Sequence, residues 1–142
     1  MKNYINNPQI AAKVAHKISL NKFSHHIGLQ YTELHEGRVL AELPMQEHLE
    51  QQNGYLHGGL VAMLCDTVAG FAAYTNIGLT EQVVTGELKV SYFYPVVGEV
   101  IYARGWVVKG GKRIQFCESE VYVIHNAQER VCAKATTTMV VI

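Results

Sequence analysis

Charge is scarce in this chain of 142 residues: Asp, Glu, Lys and Arg make up 17% of it, and the 12 basic and 12 acidic side chains cancel. A soluble domain usually carries about a quarter of its residues charged. With no net field to draw it to nucleic acid or an anionic membrane, neither is expected as a partner. Cysteine is scarce too. Cys65, Cys117 and Cys132 are odd in number and form no CxxC pair, which argues against a disulfide framework and predicts reduced thiols. The seven histidines show no HxxxH or HxxEH spacing, so no metal site is expected. The patterns GxSxG, GxGxxG and GxxxxGK[ST] are missing, which removes the simplest serine-hydrolase, dinucleotide and P-loop readings. The opening "MKNYINNPQI" lacks the apolar core of a signal peptide. Together with the reduced thiols this makes the cytoplasm the expected location.

What the chain does have is apolar residues, at 49%. So much apolar character beside so little charge implies that part of the exterior is covered by another subunit. No repeat, low-complexity tract or linker interrupts the sequence, and the length fits one domain with a real core. Pro8 can open a first helix, with Ile10, Val14 and Ile18 forming one apolar stripe. Leu29–Leu34 and Arg38–Leu43 read as strands joined by a turn at His35–Gly37, with Pro44 ending the second. A polar stretch from Gln46 to Gly54 leads into a long apolar helix from about Gly58 to Tyr74, which stops near Asn76–Gly78. Strands follow at Val84–Tyr92, Val100–Val108, Ile114–Ile124 and Val131–Val141, with "KGGKR" and "HNAQE" as hairpin turns. Within Val84–Tyr92, strict alternation puts Val84, Leu88, Val90 and Tyr92 on one face and Thr85, Glu87, Lys89 and Ser91 on the other. One long helix and about six strands imply an α+β domain in which a single antiparallel sheet curls around the helix. Such a sheet leaves edges, and a second copy pairing at an edge would continue it across a dimer.

The stretch "QQNGYLHGGLVAMLCDTVAGFAAY", Gln51 to Tyr74, breaks two local rules. It opens a helix with two glycines, which are poor helix formers, and sets a carboxylate, Asp66, in the middle of apolar neighbours. Such breaks are expected at functional sites. Asp66 and the sheet-like sequence that follows also argue against a membrane span. The N–H groups at a helix start have no partners within the helix, and the dipole there is positive. Gly58 and Gly59 therefore form either an oxyanion pocket or two small residues packed tightly under the sheet. Asp66 is a nucleophile, a general base or a structurally bonded carboxylate. His57 either orients the turn or touches the reacting group, and Cys65 reads as a buried, inert thiol. Gly59 and Asp66 share a helix face but lie roughly 10.5 Å apart along the axis. If both helix start and carboxylate act on one substrate, they must come from different chains.

"HGG", then six residues, then Asp66, followed by "VTGELKVSYFYPV", resembles the hotdog-fold acyl-CoA thioesterases. The similarity is to the phenylacetate-pathway group and its 4-hydroxybenzoyl-CoA thioesterase relatives, and it covers about residues 25–142, leaving 1–24 as an N-terminal helical segment. It implies hydrolysis of acyl-CoA to free acid and CoA, with CoA entering as part of the substrate and no separate cofactor. It also implies a homodimer, paired further into a dimer of dimers. The resemblance aligns Asp66 with the catalytic carboxylate and Gly58 with the glycine whose N–H polarises the thioester carbonyl. Gln51 falls where relatives orient the attacking water or the carbonyl, with Asn53 competing for that role, and Thr85 falls where some relatives assist the water. Lys109, Lys112 and Arg113, with Arg104 nearby, are candidates for the CoA phosphates; the alternative is an ordinary solvated hairpin tip. Tyr55, Phe71, Tyr74, Phe93 and Tyr94 either line an aryl pocket or belong to the core. Two other functions fit the fold: a hydratase or dehydratase, and a non-catalytic acyl-CoA sensor.

Overall fold

The computed structural model describes all 142 residues. A two-residue strand β1 (Lys2–Asn3) precedes helix α1 (Pro8–Ser19) and a short helix α2 (Lys22–His26). Asn7 caps α1 by accepting the N–H groups of Gln9 and Ile10, and Pro8 occupies the first turn, where its missing N–H costs nothing. Strands β2 (Gln30–His35) and β3 (Arg38–Pro44) form a hairpin whose turn holds Gly37 at a φ of 71°. A single 3₁₀ turn at Glu47–Leu49 leads to the long helix α3 (Gly58–Tyr74). Then come β4 (Val83–Tyr92), β5 (Val100–Gly110), β6 (Ile114–His125) and β7 (Gln128–Val141).

The strands make one seven-stranded sheet in the order β1-β2-β3-β5-β6-β7-β4. Six of them are the strands expected from alternation, and they pair antiparallel. The seventh, β1, lies parallel to β2 and makes the sheet mixed rather than purely antiparallel. Two residues are too few for periodicity to show. Helix α3 packs against β3 through β7, which curl around it as in the hotdog fold. Gly105 on β5 marks the closest approach: a Cβ there would stand 2.5 Å from the carbonyl carbon of Val68. No helix is long and apolar enough to cross a membrane.

Residues before the hairpin join the same core. Ile10, Val14 and Ile18 cluster with Val61, Leu64 and Val68 of α3. Lys13 Nζ donates to the carbonyls of Gly78 and Glu81 at 2.5 and 2.7 Å, fastening α1 to the α3–β4 connection. The sheet buries α3 on most sides, as its apolar character implies, and leaves one stripe uncovered. Met63, Asp66, Thr67, Gly70 and Tyr74 follow one stripe at helical spacing and stay half-buried. That stripe adjoins β4, one of the two edge strands, which is bonded only to β7.

Candidate active site

The start of α3 is nearly satisfied internally. His57 is its N-cap, and Nδ1 of the ring accepts the Gly59 N–H at 3.0 Å. The His57 carbonyl accepts from Leu60 and Val61 at 2.9 and 3.2 Å. Only the Gly58 N–H has no partner in the chain. Of the two expected glycine donors, then, one is free and the other is held by the histidine. Gly58 opens on a cleft of about 340 Å³ that Gln51, Tyr55, Tyr92 and Tyr94 also line. Gln51 Oε1 accepts the Asn53 N–H, which leaves the Gln51 amide NH₂ without a partner in the chain. Asn53 itself is exposed and does not line the cleft.

Asp66 sits half-buried on the uncovered stripe and accepts a hydrogen bond from Thr85 Oγ1 at 2.7 Å. Strict alternation puts Thr85 on the face away from Leu88 and Tyr92, and the structure corrects this. A bulge between Thr85 and Glu87 leaves Gly86 unpaired and shifts the phase of β4 by one residue. Thr85 therefore pairs with buried Met139 and turns toward the helix, while Val84 points outward and is 47% exposed. The signal was present, since a glycine inside a strand pattern marks a bulge. The two residues line a cleft of about 210 Å³ with Asn21, Thr67, Gly70, Phe71, Tyr74, Val83, Val84 and Met139. Replacing Thr85 with valine is expected to lower kcat about tenfold, the worth of one hydrogen bond to a charged group. Steady-state kinetics, with circular dichroism to confirm folding, checks this. Cys65, next to Asp66, is fully buried, and burial pushes its thiol up to about 11, as an inert cysteine requires.

A single chain does not bring Gly58 and Asp66 together. They line separate clefts, and eight residues of helix put about 12 Å of axial rise between them. The expected phosphate cations lie elsewhere again. Lys109, Lys112 and Arg113 are exposed at the β5–β6 hairpin, and Lys112 alone of the three shares a cleft with Asn76 and Ile77, just past the end of α3. Arg104 is not available to join them: Glu120 and Glu129 hold its guanidinium, each at 2.6 Å, on the outer face of the sheet. The aromatic residues divide. Tyr55, Phe93 and Tyr94 are exposed around Gly58, while Phe71 and Tyr74 line the cleft of Asp66. Asn21, the N-cap of α2, and Tyr92 also line these clefts, and neither a cap nor an apolar-face tyrosine carries a catalytic signature in the sequence.

The sequence model of the thioesterase superfamily matches residues 53–135, which include Gly58, Asp66 and Thr85. The chain belongs to the thioesterase superfamily. Its similarity to relatives in that superfamily extends over most of its length. The proofreading thioesterase EntH of Klebsiella pneumoniae is 31% identical over 104 residues, 73% of this chain and 76% of that one. The crystal structure of a thioesterase family protein from Silicibacter pomeroyi superposes with a TM-score of 0.91 at 30% identity, covering 94% of this chain and 98% of the other. A Haemophilus influenzae thioesterase shares the fold, with a TM-score of 0.80 at 23% identity over 89% of this chain and 86% of that one. Membership in the superfamily makes thioester hydrolysis the reaction class.

Proposed function

We propose that the protein hydrolyses acyl-CoA thioesters at a site shared between two copies of the chain. The observation that carries this reading is the separation of an unpaired Gly58 N–H and a Thr85-bonded Asp66 into two clefts about 12 Å apart along one helix. Two α3 helices packed antiparallel along their uncovered stripes would set each Gly58 against the partner's Asp66. The twofold axis then falls beside Ala62, a small side chain left half-buried in the single chain. The free edge of β4 runs along the same side and would continue the sheet across the dimer.

In this arrangement the thioester oxygen gains negative charge as its carbonyl carbon is attacked, and the Gly58 N–H and the positive end of the helix dipole meet that charge. A preorganised donor of this kind lowers an acyl-transfer barrier by roughly 3–4 kcal/mol. Asp66 of the other chain either removes a proton from the attacking water or attacks the carbonyl carbon itself. In both routes the C–S bond breaks, the thiolate leaves and is protonated, and one water is consumed to give the acid. The Gln51 amide NH₂, in the Gly58 cleft, would orient the water or the carbonyl. The acyl group would occupy the cleft walled by Phe71, Tyr74 and Met139.

The test is hydrolysis of a panel of short-chain, long-chain and aryl CoA thioesters, with free thiol release as the readout. No turnover of any of them, by a folded dimer, removes the reading. The nucleotide end of CoA is proposed to meet Lys109, Lys112 and Arg113, the exposed cations of the β5–β6 hairpin. Reversing these three charges is expected to raise KM for acyl-CoA several-fold and leave KM for the matching pantetheine thioester unchanged, because only the full carrier has the nucleotide phosphates. Equal changes for both substrates would take the hairpin out of the binding site.

A further inference from the structure

The edge strand β4 touches both separated halves of the site. Near its start Thr85 Oγ1 donates to Asp66, and at its end the Tyr92 hydroxyl donates to the Gly58 carbonyl at 2.8 Å. Thr85 and Tyr92 are seven positions apart, so in a regular strand they would face opposite sides of the sheet. The bulge at Gly86 removes that conflict. Thr85 pairs with Met139 and Tyr92 with Ala133, both buried residues on the inner face of β7. One extra residue thus brings both hydroxyls to face α3.

We infer that Tyr92 is a positioning residue that aims the Gly58 N–H, an inference that rests on the role proposed for that group. Gly58 and Gly59 have no side chains to restrict their backbone, so a peptide at this point is intrinsically loose. Two side chains add restraint to that of the helix. The peptide unit joining Gly58 to Gly59 is held at its carbonyl by Tyr92 and at its N–H by His57 Nδ1. Only the φ and ψ of Gly58 separate that clamped unit from the unpaired N–H. Nothing in the packing requires glycine at this position, since a Cβ there would meet Tyr92 Cε1 at an ordinary 3.8 Å. The absent side chain leaves the approach to the N–H open, and the clamp holds the direction that a side chain would otherwise help to set. Tyr92 also lines the Gly58 cleft with its ring, so its hydroxyl and its ring have separable roles.

Tyr92→Phe removes the hydroxyl and keeps the ring. Tyr92 is 52% exposed in the chain, so the variant should fold, and a thermal melt checks this. Acyl-CoA hydrolysis by this variant is expected to show kcat about tenfold lower with KM within about twofold, a fraction of the ~100-fold or greater loss that follows removal of an oxyanion donor. The ¹³C signal of the Gly58 carbonyl should move, and the Gly58 amide signal should broaden or shift. An unchanged kcat overturns the inference, and so does a rise in KM alone, which would make Tyr92 a substrate contact. A variant that no longer folds assigns the hydroxyl to stability and overturns it as well. Asp66→Ala is measured beside it. If that protein is inactive and Tyr92→Phe is fully active, the positioning role alone fails. If Asp66→Ala is fully active, the shared-site proposal fails with it.

Discussion

Asp66→Ala is expected to lower kcat at least about 100-fold, the scale on which a positioned acid–base or nucleophilic group acts. The fold should survive the change. Asp66 is half-buried on the stripe of α3 that the sheet leaves uncovered, and its one hydrogen bond within the chain comes from the Thr85 hydroxyl. Alanine has the highest helix propensity of any residue, so the middle of α3 accepts it readily. The Thr85 hydroxyl loses one partner but keeps Met139 Sδ at 3.7 Å. The measurement is kcat on the best acyl-CoA substrate, alongside circular dichroism and the oligomeric state. A well-folded Asp66→Ala protein that turns over normally would sink the catalytic assignment. A loss in kcat much larger than that of Thr85→Val fits a carboxylate that acts on substrate and a threonine that steadies it.

The long-range plan of the molecule is legible where periodicity and punctuation agree. Helix α3 begins and ends at the expected residues because its apolar run is bounded by His57 and by the Asn76–Gly78 segment. Helix α1 follows from Pro8 and the four-residue spacing of Ile10, Val14 and Ile18, all buried. What escapes the sequence depends on pairings and side-chain directions that no local pattern records. Strand β1 exists because Lys2 and Asn3 find Glu33 and Leu34, and two residues carry no pattern of their own. The free donor at the helix start cannot be told from its neighbour until the His57 ring is seen to turn back onto Gly59. Asp66 looks out of place in an apolar helix, but its stripe is only half-buried and β4 supplies the Thr85 hydroxyl as its partner. Counting in twos across Gly86 puts Thr85 on the wrong face, because the bulge there shifts the phase. Arg104 looks like a free cation near the hairpin, but cross-strand register sets it opposite Glu120.

Refolding Asp66→Ala together with Gly58→Pro is expected to restore activity that neither variant has alone. Proline removes the Gly58 N–H, and that group is the one donor at the start of α3 with no partner, so no internal hydrogen bond is lost. The site also suits proline sterically. Gly58 is the first residue of the helix, where proline is favoured, and its φ is not positive. His57 before it has φ −58° and ψ 131°, in the extended region that a residue preceding proline prefers. The variant should therefore fold and fail through the loss of the oxyanion donor, about 100-fold or more in kcat. In a mixed dimer the Asp66 defect and the Gly58 defect fall in one site, and the other site combines an intact Gly58 with an intact partner's Asp66. Random pairing makes about half of the dimers mixed, so about a quarter of all sites should be whole. Activity recovering to that fraction, only after the variants are unfolded and refolded together, is the result that a shared site requires. If mass spectrometry shows mixed dimers and activity stays at the level of the single variants, Gly58 and Asp66 do not meet across the interface. The two clefts on α3 would then need separate explanations.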